Sequence, residues 1–293
     1  MPEPVTSETG KSTSGIGTAA RRAERAPFGW YVAWTWLGTV VLAAVFAPLL
    51  PLWDPAVPDY TNVFGGITPQ HWLGGDTLGR DTFSRVIHGA RASLLVGICA
   101  VGLGALVGGF LGMLAGYFGG RTERVLALVT DVVLAFPGLV FIIAVVAILG
   151  SSLTNLILGL AILSVPTFIR LARAATLVVA QREFVLAARA MGATSWRIIV
   201  RELVPNVLRP LLSYAFLIVA VLVVAEASLS FLGVGIQRPT PTWGNMIAAG
   251  EREFQDHPHM VFIPGTVMFL SVFSINRVGD RMRARWDSGS RSG

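Results

Sequence analysis

The residue types able to do chemistry are few in this chain, and they lie in unusual places. Asp131 and Glu226 each sit inside a long apolar run. A carboxylate in hydrocarbon is costly and normally finds a partner or a task. Each acid can therefore be a proton or cation relay, a group lining a path, or a helix-pairing contact. Arg170 and Arg173 are the candidate partners of Asp131. Glu253, Asp256, His257 and His259 gather metal-ligand types in one short stretch, but Pro258 separates the two histidines. A solvated loop is expected there, not a metal centre. Gly10-Lys11-Ser12 matches the last positions of a phosphate loop, yet Val5 stands where that pattern needs its first glycine. No strand leads into it, so no nucleotide site is expected. The single cysteine, Cys99, allows neither a disulfide nor a cysteine-based metal site within one chain. No nucleophile pairs with a base. The expectation is a non-enzyme with no cofactor and no metal.

The elements that position these groups are membrane spans. Hydrophobic residues make up 53% of the chain and charged residues 14%, with a mean hydropathy of +0.65. Those values are far from a soluble domain. A span needs about 20 apolar residues to cross about 30 Å of hydrocarbon. Six stretches qualify, near 30–50, 92–117, 126–149, 154–172, 210–234 and 259–277. The predicted fold class is all-α, a polytopic protein with six transmembrane helices. Residues 1–27 are polar and rich in Ser, Thr and Gly, and are expected to be a disordered tail. The first apolar run is too long and too late for a cleaved signal and should remain as an anchor. The organisation expected is a tail over 1–27, a first span with an external segment over 28–91, a five-span core over 92–280, and a tail over 281–293.

Arginine placement orients the spans. If both termini face the cytoplasm, the inner segments hold 18 of the 23 Lys and Arg. Only Arg80, Arg85, Arg91, Arg238 and Arg252 fall outside. This is a strong positive-inside bias. It accounts for the pI near 10.4 without any nucleic-acid partner. Membrane lipid is the surrounding partner instead.

Between the fourth and fifth spans a polar, arginine-rich stretch, QREFVLAARAMGATSWRIIVRELVPN (181–206), leaves the bilayer and returns. It lies within the inner loop 173–209. Gly192-Ala193-Thr194-Ser195 divides it. Before that turn, 183–191 is rich in helix formers. After it, Trp196, Ile199, Val200, Leu203 and Val204 recur at helical spacing and form one apolar face. Thr194 or Ser195 can cap the second helix, and Pro205 is expected to end it. Such a helix–turn–helix suits docking onto a soluble partner. Spacing alone equally allows an amphipathic hairpin on the lipid surface.

Gly104, Gly108, Gly112, Gly116 and Gly120 recur every four residues and lay a smooth strip along the second span. A strip of this kind lets another helix approach closely. Spacing leaves open whether that helix belongs to this chain or to a second membrane subunit. Residues 81–91, with Phe83, Val86 and Ile87 on one side, are expected to form a short interfacial helix.

The 181–206 stretch resembles the EAA loop of ATP-binding-cassette importer permeases, running from Ala187-Ala188 through Gly192 to Leu203-Val204-Pro205. Leu186 replaces the usual first Glu, and Glu183 lies one turn earlier. Four further segments resemble the dipeptide, oligopeptide and nickel permeases: HWLGGDTLGRD (71–81), DVVLAFPGL (131–139), EASLSFLG (226–233) and PTWGNM (241–246). The resemblance covers roughly residues 28–286, and the single span before 71–81 resembles the C-type subunit. It implies a type I importer permease fold in the cytoplasmic membrane. It also implies a second, B-type permease subunit, two ATP-binding subunits that hydrolyse the ATP, and an extracytoplasmic substrate-binding protein. Within the loop it implies a coupling role for Glu183, Ala187, Ala188, Arg189, Gly192, Trp196 and Arg197. Gly192 would permit the turn, Trp196 would anchor, and Arg189 and Arg197 would reach acidic groups on an ATPase. The cargo implied is di- or oligopeptide first, with nickel, glutathione or haem as alternatives. A secondary transporter run by Asp131 or Glu226 is the competing class, but no internal repeat supports it. A membrane enzyme or anchor ranks last.

Overall fold

The computed structural model describes residues 28–289. The tail 1–27, with Gly10-Lys11-Ser12, and residues 290–293 lie outside the described residues. Among the described residues the regular structure is helical, apart from one isolated antiparallel bridge between Gly75 and Asp81. The helices are α1 (Phe28–Phe46), α2 (Thr82–Phe118), α3 (Gly120–Ala135), α4 (Gly138–Leu149), α5 (Leu153–Ala180), α6 (Glu183–Ala190), α7 (Ser195–Ile198), α8 (Val204–Phe231), α9 (Trp243–Glu251) and α10 (His259–Gly289). Five helical stretches are long and apolar enough to cross a membrane, and α3 with α4, bent sharply at their junction, reaches that length and apolarity only as a pair. Large side chains such as Phe28, Ile148 and Leu106 stand exposed along these helices. That pattern is untenable in water but suits hydrocarbon.

The centre of the bundle is α2 against α5. The glycine strip faces α5 within the same chain, which settles what spacing left open. A Cβ on Gly108 would lie 2.5 Å from the Val165 carbonyl oxygen, and one on Gly112 would lie 2.4 Å from that of Ile169. Gly104 meets Ser164 and Gly116 meets Thr176 in the same way. Gly120 lies beyond the strip, at the start of α3. On the other side of α2, Gly97 admits Val223 and Gly109 admits Leu211, both from α8. Buried Val96, Ala100, Phe168, Ala172, Val207 and Leu211 fill the space between these three helices. Helices α1 and α10 close the other flank around Val40, Ala44, Leu94 and Ile275.

Three boundaries differ from expectation, each for a physical reason. Residues 81–91 are not a separate interfacial helix but the first turns of α2. Asp81 caps the helix by accepting from the Ser84 N–H at 2.7 Å, and nothing between Arg91 and Ala92 breaks it. The 37 residues of α2 extend about 55 Å, well beyond the hydrocarbon. The third span is broken. Phe136-Pro137 separates α3 from α4 at an angle of 86°, because proline offers no N–H and forces its predecessor out of helical geometry. Pro205 ends nothing. It sits directly after a π-turn, at the start of α8. A π-turn over Ile199–Leu203 joins α7 to α8, so that Ser195–Phe231 forms a single 37-residue span.

The segment between α1 and α2 is a compact cover knotted around Asp76. This buried carboxylate accepts the backbone N–H groups of Leu78 at 2.8 Å and Arg80 at 3.0 Å. It also accepts Arg80 Nε at 2.8 Å and lies 3.3 Å from Arg85 Nε. Arg85, itself buried, donates to the Pro55 carbonyl at 2.6 Å, and Ser84 Oγ donates to that of Trp53 at 2.6 Å. His71 Nδ1 lies 3.0 Å from Asp81. Outside the spans, Asp59 is held below the ordinary carboxylate range, chiefly by the Thr61 hydroxyl and then by the Thr61 N–H. At the same end Trp243 is wholly buried, and its indole N–H donates to the Val86 carbonyl at 3.2 Å. A capping box between Thr242 and Asn245 starts α9.

Two outcomes follow. Gly112→Val should lower thermal stability in detergent by about 1–3 kcal/mol or more, because backbone cannot yield as a side chain can. Gly102→Val, which meets open space, should stay within about 1 kcal/mol, the range of helix propensity. Equal melting shifts would refute the packing account. Asp76→Ala should cost about 3–5 kcal/mol, since it strands two buried arginines. An unchanged melting curve for this variant would show that Asp76 does not hold the cover.

Candidate functional site

The 181–206 stretch folds as expected in outline. Glu183 opens α6 and Arg189 lies in its last turn, each on the side of the helix dipole that favours its charge. Gly192 follows with φ +82°, the left-handed conformation that glycine adopts without strain. Its N–H donates to the Arg189 carbonyl at 3.0 Å, and that of Ala193 to Ala188 at 3.0 Å, which closes the end of α6. Thr194, not Ser195, caps α7 by accepting the Arg197 N–H at 3.4 Å.

The buried face of the hairpin is rotated from the one spacing indicated. Val185, Ile198, Ile199 and Leu203 are buried together against Leu114, Tyr117 and Val179 from the ends of α2 and α5. Trp196 (63% exposed) and Val200 (45% exposed) point away. The π-turn adds a residue per ring there; Ile198 joins Ile199 and Leu203 inside, while Trp196 and Val200 of the predicted face turn outward. The Arg189 guanidinium lies 5.4 Å above the Tyr117 ring, a cation–π contact that spacing within the loop could not reveal. The hairpin is thus braced on the bundle, while Glu183, Leu186, Ala187, Met191, Trp196 and Arg197 form its free surface and Ala188 is half-buried.

The two intramembrane acids have different environments. Asp131 on α3 accepts from Arg170 on α5 at 2.7 Å, and both side chains are mostly exposed on this chain. Arg173 does not share Asp131; it pairs with Glu123. Glu226 on α8 is wholly buried. Ser93 Oγ of α2 donates to one of its oxygens at 2.7 Å and Ser230 Oγ to the other at 2.6 Å. The Trp243 N–H in turn lies 3.4 Å from Ser93 Oγ. Glu226 therefore ties α8 to α2 next to the start of α9, and among the described residues no cation lies at hydrogen-bonding distance from it.

The other candidates are dispersed. The His257 ring stacks on Phe64 with centroids 4.3 Å apart, and His259 meets His257 edge-on. Among the described residues no group of three or more His, Cys, Asp or Glu side chains is placed to hold a metal ion. Cys99 is exposed on α2. What this chain presents is an exposed hairpin rigidly continued into a span, with polar ties at both ends of the bundle.

The chain is similar to known proteins in sequence and in fold. The family described as binding-protein-dependent transport system inner membrane component matches residues 108–289. The glutathione transport system permease protein GsiD of Pectobacterium atrosepticum is 41% identical over 229 residues, covering 78% of this chain and 76% of its own length. The GsiD of Escherichia coli is 41% identical over 249 residues, covering 85% and 82%. The dipeptide transport system permease protein DppC of Alkalihalophilus pseudofirmus is 39% identical over 252 residues, covering 86% and 83%. In fold, a chain of the inward-facing MetNI methionine ABC transporter aligns with a TM-score of 0.57 at 20% identity, covering 68% of this chain and 95% of that one. A chain of an amino acid ABC transporter aligns at 0.53 and 17% identity, covering 69% and 94%. An all-helical, multi-pass chain with these relatives belongs to the binding-protein-dependent inner membrane permeases, the transport components of ABC importers in the peptide and nickel family, which carry no ATPase domain of their own.

Proposed function

We propose that this permease imports short peptides and forms half of their path, with a B-type permease subunit forming the other half. Two ATP-binding subunits dock on the 181–206 hairpin, and an extracytoplasmic binding protein delivers cargo at the end covered by residues 50–81. Both termini face the cytoplasm, which places 18 of the 23 Lys and Arg on that side. Relatives named for glutathione and for dipeptides support a peptide-like cargo.

The observation that carries the coupling role is the continuity of Ser195–Phe231. A push on the hairpin enters a helix about 55 Å long that reaches the far end of the bundle. The free surface of the hairpin fits a docking face: Trp196 and Met191 supply apolar anchors, while Arg189, Arg197 and Glu183 supply charge at the rim. Ala187 and Ala188 keep that surface low. Closure of the ATPases on ATP would move two such hairpins together and shift the spans between inward-facing and outward-facing states. In this reading Asp131 with Arg170, and Glu226 with its serines, hold helices together rather than relay protons.

Gly192→Val tests coupling without a steric clash, because nothing lies within 4 Å of the added Cβ. The strain is in the backbone, about 1–3 kcal/mol. The assembled complex should keep its ATPase subunits and lose at least about tenfold in uptake per ATP hydrolysed, the factor that 1.4 kcal/mol represents. Normal uptake by a stably assembled variant would rule the coupling role out. For the acid–base pair, Asp131→Asn and Arg170→Gln should each reduce assembly, since an unpaired charge in a span costs about 2.5–3.5 kcal/mol. Reversing both charges should restore it. Assembly that survives both single changes, with altered transport, would favour a path-lining role instead.

A further inference from the structure

The far end of the α8 rod opens into a cavity of about 620 Å³. Ser230 and Phe231 of α8 form one wall, Asn245 and Ala248 of α9 the other, and Thr77 of the outer cover reaches its edge. This volume suits a small molecule. The 233–240 loop that closes it is braced before any ligand arrives. Gln237 Nε2 donates to the carbonyls of Gly233 at 3.0 Å and Gly235 at 3.3 Å, and Asn245 Nδ2 donates to that of Thr240 at 2.8 Å.

The charges on the lining are balanced and mixed. Arg238 and Arg252 bring two cations, and Glu251 and Glu253 bring two anions. Among the described residues, no side chain of these four makes a hydrogen bond or ion pair. Behind the cavity, Ala249 separates it from Asp76 and Arg85. There two buried arginines, Arg80 and Arg85, face the single carboxylate of Asp76. Asp81 and, behind Ser230, Glu226 balance these arginines, so the charges that can recognise a ligand are those on the lining itself. A free peptide carries a carboxylate at one end and an ammonium at the other. A dipeptide spans about 7 Å and a five-residue peptide about 18 Å when extended, so the shorter ones fit within the cavity.

We propose that this outer cavity is an acceptor site for short zwitterionic peptides, in which Arg238 and Arg252 take the terminal carboxylate and Glu251 and Glu253 take the terminal ammonium. The proposal rests on the peptide reading above and extends it to named residues. It also gives the rod a purpose at both ends. The helix that begins at the ATPase-facing hairpin ends in the wall of the acceptor site, so movement of the hairpin reshapes the site that holds the cargo.

The test uses the complete reconstituted transporter with its binding protein. Uptake of a di- or tripeptide is compared with that of its C-terminally amidated form, for wild type and for Arg238→Gln/Arg252→Gln. Affinity of the binding protein for each peptide is measured separately and divided out. The double variant should assemble with its partner subunits as wild type does. Its KM for the free-carboxylate peptide should rise about tenfold, the scale of a lost charge-assisted hydrogen bond, and its preference over the amide should vanish. Glu251→Gln/Glu253→Gln should produce the corresponding loss for the free-amine peptide over its N-acetylated form. Unchanged KM and unchanged preference in both variants, with wild-type peptide uptake intact, would overturn this inference alone. Weakened docking of the peptide-free binding protein in the variants, with preference retained, would overturn it too, because the surface would then be a protein contact. Absence of peptide uptake by wild type would remove the peptide reading itself.

Discussion

Close backbone approach between α2 and α5 is the constraint on which the remaining packing depends. In a bilayer, helices gain little from burying apolar surface, because lipid tails are as apolar as leucine. Association must come from dense contact. Gly104, Gly108, Gly112 and Gly116 remove every side chain that would hold α5 away, and the carbonyls of Val165 and Ile169 occupy the space where methyl groups would stand. With α5 seated on one face, the other face of α2 meets α8 at Gly97 and Gly109. One helix therefore sets the positions of the helix that leads into the hairpin and the helix that leads out of it.

Polar ties then fix the levels along the bundle. At the end covered by residues 50–81, Asp76 gathers Arg80, Arg85 and two backbone N–H groups. Toward the C-terminal end of α8, Glu226 receives the hydroxyls of Ser93 and Ser230. At the other end Asp131 meets Arg170 and Glu123 meets Arg173. Groups of this kind are expensive in hydrocarbon. Once paired, they favour one register of each helix against its neighbour, which apolar contact alone specifies poorly.

Between these levels lies a long helical member, with Pro210 in its interior. The π-turn at Ile199–Leu203 lets α7 and α8 run on as a single span despite Pro205. This one span links the exposed hairpin to the cavity wall at Ser230 and Phe231. The bend at Pro137 has the opposite effect: α3 and α4 turn sharply and leave much of their apolar surface uncovered by this chain.

Apolar run length, arginine distribution and turn chemistry were sufficient to read six spans, the hairpin and its Gly192 turn from the amino-acid order, because these are local properties. Spacing also marked the glycine strip as a contact face, but the partner helix is a matter of which elements meet in space. The same holds for Arg170, rather than Arg173, at Asp131, and for the two serines at Glu226. Three local signals were read wrongly because each outcome depends on neighbours. Pro205 was accommodated by a π-turn, Pro137 broke a span that composition alone shows as continuous, and the 81–91 stretch merged with α2. The rotation that exposes Trp196 and buries Ile198 belongs to the same class. Sequence by itself determined what each segment prefers to be. Tertiary structure alone decided which groups meet, because a contact between residues as distant as Ser93 and Glu226 exists only once α2 and α8 have packed.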